Sequence, residues 1–252
     1  MGREEVVEIA KLRRIKPWQE EERYIQALLL YSLSGEPLVF KGGTYLWFFH
    51  GLNRFSDDLD FTARGRVGME LIDTAGERLR LFGVENETRL VKEDRHILSF
   101  RVSAKGPLFA SDKDICHIYV EVSRREETKT ESLPIRLDEA HYGIPLVFLR
   151  GMALIEVASE KVRAVMTRSA ARDLYDLWYV TSRLRVEPDV RLINEKLAFY
   201  GMSFNYGRFR ERIGAFGRFW GEELKPLVFG ILPEFGGVLR DLEETFSKTE
   251  GS

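Results

Sequence analysis

The sequence predicts an α+β protein whose first half mixes strands with helices and whose second half is mainly helical. Up to about residue 125, short segments rich in β-branched residues alternate with stretches of helical periodicity. From Met152 onward, apolar residues recur at helical spacing instead. The stretch from Pro134 to Pro145 separates the two patterns, so we predict two domains, residues 1–143 and 144–252.

The first half supplies three predicted helices and five predicted strands. Tyr24, Ala27, Leu28 and Tyr31 are spaced as on one helix face, and Gly35 marks the end of that helix. The other predicted helices are GGTYLWFFHG, which Gly51 stops, and residues 68–82. The predicted strands are PLVF, LDF and residues 84–91, 96–102 and 114–122.

The second half supplies five predicted helices and no predicted strand. Two of them have clear sequence patterns, MALIEVASEKVRAVMTR and ARDLYDLWYVTSRL. The other three are predicted at residues 188–200, 205–213 and 235–247.

Composition narrows the class of protein. The 252 residues are 44% hydrophobic, which suffices for a sizeable core, and the formal net charge of -2 gives no general attraction to nucleic acid. The only cysteine, Cys116, excludes a disulfide framework and fits a reducing compartment. No apolar run approaches the ~20 residues of a membrane span, and the start lacks a signal-peptide pattern. We therefore expect a cytoplasmic protein with no membrane partner.

The four histidines do not indicate zinc or triad chemistry. His50, His96, His117 and His141 are scattered without metal-ligand spacing. The sequence also lacks H-E-x-x-H, G-x-S-x-G and the P-loop pattern.

Gly42 and Gly43 stand between a predicted strand and a predicted helix. Without side chains there, backbone amides at the helix start can approach a phosphate, and the neighbouring Lys41 can add a positive charge. A tight turn is the alternative interpretation of such a pair.

Asp58 and Asp60 lie two residues apart on a predicted strand and therefore face the same side. Like charges placed so close call for a neutralising cation, and carboxylate oxygens are the ligands that Mg²⁺ prefers. The alternative is a solvated acidic edge that includes Asp57.

Glu121 is a candidate third carboxylate. In HIYVEVS it alternates with buried-type valines, so it faces away from the core, and it joins the aspartates if its strand lies beside Leu59. Pairing with Arg124 or Arg125 at the strand end is the alternative.

A second charged block follows about a hundred residues later. Lys161, Arg168 and Arg172 share one stripe if their helix is continuous, and such a stripe suits the phosphates of a nucleotide. Asp173 and Asp176 can orient these cations, or Asp173 can cap a helix begun at Ser169. The alternative is a solvated helix with ion pairs Glu160–Arg163 and Arg172–Asp176.

The segment FNYGRFRER interleaves aromatic residues with Arg208, Arg210 and Arg212. This composition suits contact with RNA bases and phosphates. It is also that of an ordinary amphipathic helix with buried aromatic side chains.

The two charged blocks together resemble one known family. KGGTYLWFFHGLNRFSDDLDF is similar to the AbiEii/AbiGii-type nucleotidyltransferase toxins, in which a KGG-aromatic stretch leads into R-F-S-x-D-x-D-F. EKVRAVMTRSAARDLYDLWYV is similar to that family's K-x-x-A-x-x-x-R followed by R-D-x-x-D. The paired glycines, the D-x-D and a third acid also resemble the wider DNA polymerase beta-like nucleotidyltransferase superfamily.

The resemblance implies a fold, an activity and partners. The implied fold is a polymerase-beta-like mixed sheet with flanking helices, followed by a helical C-terminal region. The implied activity is transfer of NMP from an NTP to an acceptor hydroxyl, with Mg²⁺ or Mn²⁺ as cofactor. RNA such as tRNA is the implied acceptor, and a cognate antitoxin is the implied partner of the toxin.

The resemblance also assigns roles to residues. The implied catalytic residues are Asp58, Asp60, Glu121 and Lys161, of which the three acids would also be metal ligands. The implied nucleotide-binding residues are Lys41, Gly42, Gly43, Thr44, Arg54, Ser56, Lys161, Arg168, Arg172 and Asp176. The chain departs from the family in having Glu121 where many members have Asp, and only Lys113 is a candidate for the lysine expected beside that strand.

Two other functions remain compatible with the sequence. One is a noncatalytic protein of the same fold that binds nucleotide or RNA. The other is a nucleotidyltransferase that acts on a small molecule or on a protein hydroxyl.

Overall fold

The computed structural model describes residues 1–251 and divides them into two compact units. The first unit comprises residues 1–51, 55–128 and 132–152. The second comprises Leu52–Arg54, Lys129–Glu131 and the chain from Ala153 onward. The functional boundary between residues 143 and 144 stays a prediction.

The first unit is built on one mixed sheet of seven strands in the order β3-β4-β5-β2-β1-β7-β6. The pairs β2–β5 and β1–β7 are parallel, and the other neighbours are antiparallel. The strands are β1 (Leu38–Lys41), β2 (Leu59–Ala63), β3 (Asn86–Asp94), β4 (Ile97–Ala104), β5 (Cys116–Ser123), β6 (Leu133–Leu137) and β7 (Val147–Gly151).

Four helices accompany this sheet, namely α1 (Arg3–Arg13), α2 (Pro17–Ser32), α3 (Gly42–His50) and α4 (Glu70–Leu81). Pro17 begins α2, where proline lacks only an N–H that the first helical turn leaves unused. The helix is buried along most of its length, with Ile25 and Leu28–Leu30 fully inaccessible. Its contacts with β5 and α4 place the core on one face of the sheet. The α+β class is therefore confirmed for this half.

Strands β6 and β7 occupy the segment in which the sequence predicts only a domain boundary. Pro134 lies within β6, the edge strand of the sheet. Proline is tolerated there because an edge strand can leave one backbone position without a donor. Neither strand was predicted from the sequence. Helix α1 was also missed.

The second unit is helical. It contains α5 (Leu154–Thr167), α6 (Ala171–Trp178) with a π-helical turn at Tyr179–Arg183, α7 (Val190–Ala198), α8 (Tyr206–Gly214), α9 (Trp220–Leu224) and α10 (Phe235–Ser247). Side chains cap two of these helices: Asp189 accepts from the Leu192 amide and Asn205 accepts from the Arg208 amide. The predicted helical second half is confirmed. Among the described residues, no helix combines the length and apolarity that a membrane crossing requires.

The FNYGRFRER segment forms most of α8. Phe209 is buried and packs on Phe246 with ring centroids 4.5 Å apart. Arg210 pairs with Glu243 at 2.7 Å, and Arg212 donates to the Val165 carbonyl at 3.0 Å. These contacts are those of an amphipathic packing helix, and an RNA role of this segment stays a prediction.

Candidate active site

The chain passes from β1 into α3 through Lys41 and Gly42. Gly42 adopts a left-handed backbone with φ of 80°. A Cβ added there would lie 2.9 Å from the Asp60 Cβ and closer still to Asp60 Oδ2. Glycine is therefore required twice, by its conformation and by its close approach to a carboxylate.

Asp60 lies at the centre of a row of charged residues across the sheet. In the antiparallel pair β1–β2 it is the partner of Lys41, and in the parallel pair β2–β5 it is the partner of Glu121. Their neighbours Leu59 and Val120 are also register partners, and both are fully buried on the opposite face. The expectation that the Glu121 strand lies beside Leu59 is confirmed.

Asp58 directly precedes β2, and the structure fixes the segment around it. The Asp58 carbonyl accepts a hydrogen bond from the Thr44 hydroxyl of α3 at 2.5 Å. The Gln26 amide of α2 donates to the carbonyls of Ser56 and Asp57, both at 2.9 Å. The Asp58 and Asp60 side chains are partly buried and that of Glu121 is exposed. The backbone that carries the acids is thus held from two helices.

The three acids do not form a ready-made metal site. No three or more His, Cys, Asp or Glu side chains within residues 1–251 are gathered so as to hold an ion. The two positions closest in register, Asp60 and Glu121, nevertheless provide carboxylates on neighbouring strands. Lys113 lies exposed in a 3₁₀ turn before β5.

Glu22 is a fourth acid of this region, and no sequence motif pointed to it. It lies on α2, and its Oε1 is buried and has no hydrogen-bond partner among the residues that the structure describes. Burial, together with the charges of Asp57, Asp58 and Glu21, raises the pKa of Glu22 to about 8. Burial, to which the neighbouring carboxylates add, therefore keeps the Glu22 carboxyl largely protonated at neutral pH.

The second charged block forms a buried cluster within the helical unit. Lys161 Nζ lies 2.7 Å from Asp176 and 3.1 Å from Asp173. Arg54 donates two hydrogen bonds of 2.6 Å to the Asp176 carboxylate. Arg168 donates two to the Asp173 carboxylate, of 2.6 and 2.9 Å. Both aspartates are completely inaccessible, so each buried carboxylate is matched by two cations.

The structure has the two predicted helices, so the continuous helix that one stripe would require is not present. Helix α5 ends at Thr167, Arg168 is extended with φ of -142°, and α6 begins at Ala171. Lys161 and Arg168 meet instead through their shared partner Asp173. The break lets two helices contribute to one cluster, which a single stripe would not do. Of the alternative ion pairs, Glu160–Arg163 is present at 3.7 Å.

Electrostatics fix the protonation states in this cluster. Burial alone would lower the pKa of Lys161, but Asp176 and Asp173 outweigh it and raise that pKa. Burial likewise opposes the ionised aspartates, yet Arg54 and Lys161 lower the pKa of Asp176, and Lys161 and Arg168 lower that of Asp173. Lys161, Asp173 and Asp176 are therefore charged at neutral pH.

Comparison with known proteins identifies the family. A family model described as "Nucleotidyl transferase AbiEii toxin, Type IV TA system" matches residues 23–235, which include both charged blocks. The chain belongs to the AbiEii family. None of the curated proteins compared matches it.

Solved structures share the fold of this AbiEii-family protein. MenT4, a nucleotidyltransferase toxin from Mycobacterium tuberculosis H37Rv, is 23% identical with a TM-score of 0.68, over 98% of this chain and 89% of that one. A nucleotidyltransferase from H. pylori is 18% identical with a TM-score of 0.60, over 91% and 93%. JHP933 from Helicobacter pylori is 17% identical with a TM-score of 0.58, over 94% and 93%.

These findings confirm the predicted family and its nucleotidyltransferase fold. The family description also places the protein among the toxins of type IV toxin–antitoxin systems. The catalytic, metal-binding and nucleotide-binding roles of individual residues stay predictions. The residues whose nucleotide-binding roles stay predictions include Thr44, Ser56, the paired glycines, Lys161, Arg168, Arg172 and Asp176.

Proposed function

We propose that this AbiEii-family protein transfers NMP from an NTP to a hydroxyl group of RNA, such as a tRNA, with the help of a divalent cation. The observation that carries the proposal is the row of register partners Lys41, Asp60 and Glu121, with the bare backbone of Gly42 against Asp60. Phosphoryl transfer needs such a place, where anionic phosphates, a cation and a hydroxyl can meet.

The start of α3 suits the triphosphate. Gly42 and Gly43 are the first two residues of that nine-residue helix, whose free amides and dipole favour an anion. Lys41 precedes them and adds a positive charge. We therefore assign the phosphates to this end of the helix.

Asp58, Asp60 and Glu121 are the residues that would hold Mg²⁺ or Mn²⁺. Their oxygens suit a hard cation, and two of them share one register position. When bound, the cation would offset the charge of the phosphates and of the carboxylates. Because no three acids converge in the described residues, we expect ion and nucleotide to complete the site together.

The chemistry requires little else from the protein. The acceptor oxygen forms a bond to the α-phosphorus while the bond from that phosphorus to the pyrophosphate oxygen breaks. The hydroxyl proton passes to a carboxylate, for which we assign Glu121, and pyrophosphate leaves with the bonding electrons. Lys41 and the α3 amides stabilise the charge that develops on the departing group.

A labelling experiment tests the proposal. Purified protein is incubated with total cellular RNA and each of the four α-labelled nucleotides, with Mg²⁺ or with EDTA, and the label is then located. We expect label on RNA with at least one nucleotide and only in the presence of the cation. Nucleotide binding without pyrophosphate release would contradict catalysis, and label on a small molecule or on protein would contradict the RNA acceptor.

A further inference from the structure

The face of the sheet that carries Asp60 and Glu121 continues onto β4 and β3, and we call it the open face. On β5, His117, Tyr119 and Glu121 are exposed, while the alternating residues Ile118 and Val120 are fully buried. The register leads from Tyr119 to Arg101 on β4 and from Arg101 to Arg89 on β3. An aromatic ring and two arginines therefore form one row, two positions along β5 from Glu121.

The two arginines are an unusual pair for a sheet surface. Arg89 and Arg101 are direct cross-strand partners, and like charges placed opposite each other destabilise a sheet. Among the described residues, Arg101 Nε is buried and has no hydrogen-bond acceptor. An anion above the row would relieve both costs, because guanidinium groups bind phosphate oxygens in a bidentate way.

Tyr119 supplies the apolar part of the row. Its side chain is 43% exposed although it lies in a central strand, next to a position that is completely buried. An exposed ring between a carboxylate site and two arginines is suited to stacking on a nucleobase.

The neighbouring rows limit the shape of the ligand. Glu121 lies two positions along β5 on one side, and on the other side Glu87 is the register partner of Ser103. Glu121 and Glu87 thus flank the two cations, which lie on β4 and β3; with Tyr119 they form a stripe across three strands that is roughly 10 Å long at the usual strand spacing. A single strand fits such a stripe better than a duplex does.

We propose that the row Tyr119, Arg101 and Arg89 binds the single-stranded end of the acceptor RNA, with Tyr119 stacked on a base and the arginines on phosphates. The strand then leads from β3 across the open face toward Glu121. This inference rests on the proposed function, whose acceptor it places.

The test measures binding by the full chain in the absence of NTP, so it does not depend on transfer. Fluorescence anisotropy follows a labelled single-stranded RNA of about 12 nucleotides and a DNA of the same sequence, over a range of salt concentrations. The variants are Arg89→Gln with Arg101→Gln, Tyr119→Ala and the conservative Tyr119→Phe. Arg136→Gln on the opposite edge strand is the control, because Arg136, like Arg89, is an exposed sheet arginine and lies outside the row.

We expect the double arginine variant to bind RNA at least about tenfold more weakly than the wild type. The slope of log K against log salt concentration should become shallower by about 1.4, because each lost phosphate contact removes ~0.7. Tyr119→Ala should weaken binding about 5- to 150-fold, whereas Tyr119→Phe and Arg136→Gln should bind like the wild type. Equal losses on RNA and DNA would support backbone and stacking contacts. Wild-type affinity and salt slope in the double variant, as expected if this face docks a protein, would overturn the proposal.

The two proposals fail separately. Wild-type protein that binds neither oligonucleotide overturns the RNA row whatever the labelling experiment shows. Protein that binds RNA through this row but transfers no nucleotide upholds the row and overturns the proposed function.

Discussion

At the scale of single residues, Gly42 is the position at which the site tolerates least change. The residue combines a left-handed backbone with contact against Asp60, and either property alone would favour glycine. No side chain fits at position 42, because the Asp60 carboxylate lies directly against the Gly42 backbone.

We expect Gly42→Ala to abolish transfer and to lower the free energy of unfolding by more than the ~1–2 kcal/mol of a left-handed alanine. The added Cβ would displace Asp60. Gly143→Ala is the control, because Gly143 has a φ of 71° and no atom within 4 Å of an added Cβ. Labelled transfer and urea unfolding of both variants provide the measurement. Equal losses in the two variants would contradict the role of the contact with Asp60.

Glu22 gives a second residue-scale expectation, which concerns pH. Because its pKa is raised from 4.5 to about 8, the folded protein keeps a proton that the unfolded chain has lost over this range. The free energy of unfolding should therefore fall as the pH rises from 4.5 to about 8. Glu22→Gln should remove this fall and be of order 2 kcal/mol more stable than wild type at pH ~9, with little difference at pH ~4.

Urea unfolding in EDTA at both pH values measures the effect without a cation on the neighbouring aspartates. Glu8→Gln, an exposed change on α1, is the control and should behave like the wild type at both pH values. A Glu22→Gln protein with the wild-type pH dependence would show that Glu22 ionises normally.

At the scale of elements, the break between α5 and α6 organises the helical unit. It turns one expected stripe into a cluster in which Lys161 and two arginines surround two buried aspartates. Arg54, four residues before Asp58 in the chain, is held in this cluster by Asp176.

We expect Asp176→Asn to destabilise the protein by about 3–5 kcal/mol, because it leaves Arg54 and Lys161 buried with one carboxylate fewer. Urea unfolding at pH ~7 measures the loss, and Glu211→Gln, an exposed change on α8, is the control. Because the pKa of Asp176 in the folded protein is lowered below 3.8, the ionised carboxylate stabilises the fold fully above about pH 3.8. This stabilisation is lost as the pH falls through the folded-state pKa. A loss below ~1 kcal/mol at neutral pH would contradict a net stabilising cluster.

At the scale of the whole molecule, the sequence predicted the family and five of the seven strands, while the roles of the candidate site residues stay predictions. The family resemblance and the alternation around Glu121 correctly predicted that two strands bring acids together. Strands β6 and β7 were not predicted, and Lys161 and Arg168 meet across the break between the two predicted helices and not along one stripe. The environment of Glu22 depends on Asp57 and Asp58, more than thirty residues away, and the Arg89–Arg101 pair depends on the exact register of the β3–β4 hairpin, so no local pattern reveals either.

The whole-molecule expectation concerns ligand binding. Mg²⁺ and NTP together should raise the thermal midpoint by about 5–10 °C at a hundredfold excess over Kd, and each alone should do much less. The reason is that the acids do not converge on an ion by themselves in the described residues. Thermal unfolding with each ligand and with both measures the effect. A full shift with Mg²⁺ alone would show that the metal site is complete without nucleotide.

The most direct test of the central claim compares two neighbouring aspartates in the labelling assay. Asp60→Asn removes the carboxylate that lies in register with Glu121 and against Gly42, whereas Asp57→Asn changes an exposed acid outside the row. We expect Asp60→Asn to lose Mg²⁺-dependent transfer from the α-labelled nucleotide and Asp57→Asn to retain it. Undiminished transfer by a folded Asp60→Asn protein would contradict the assignment of the active site.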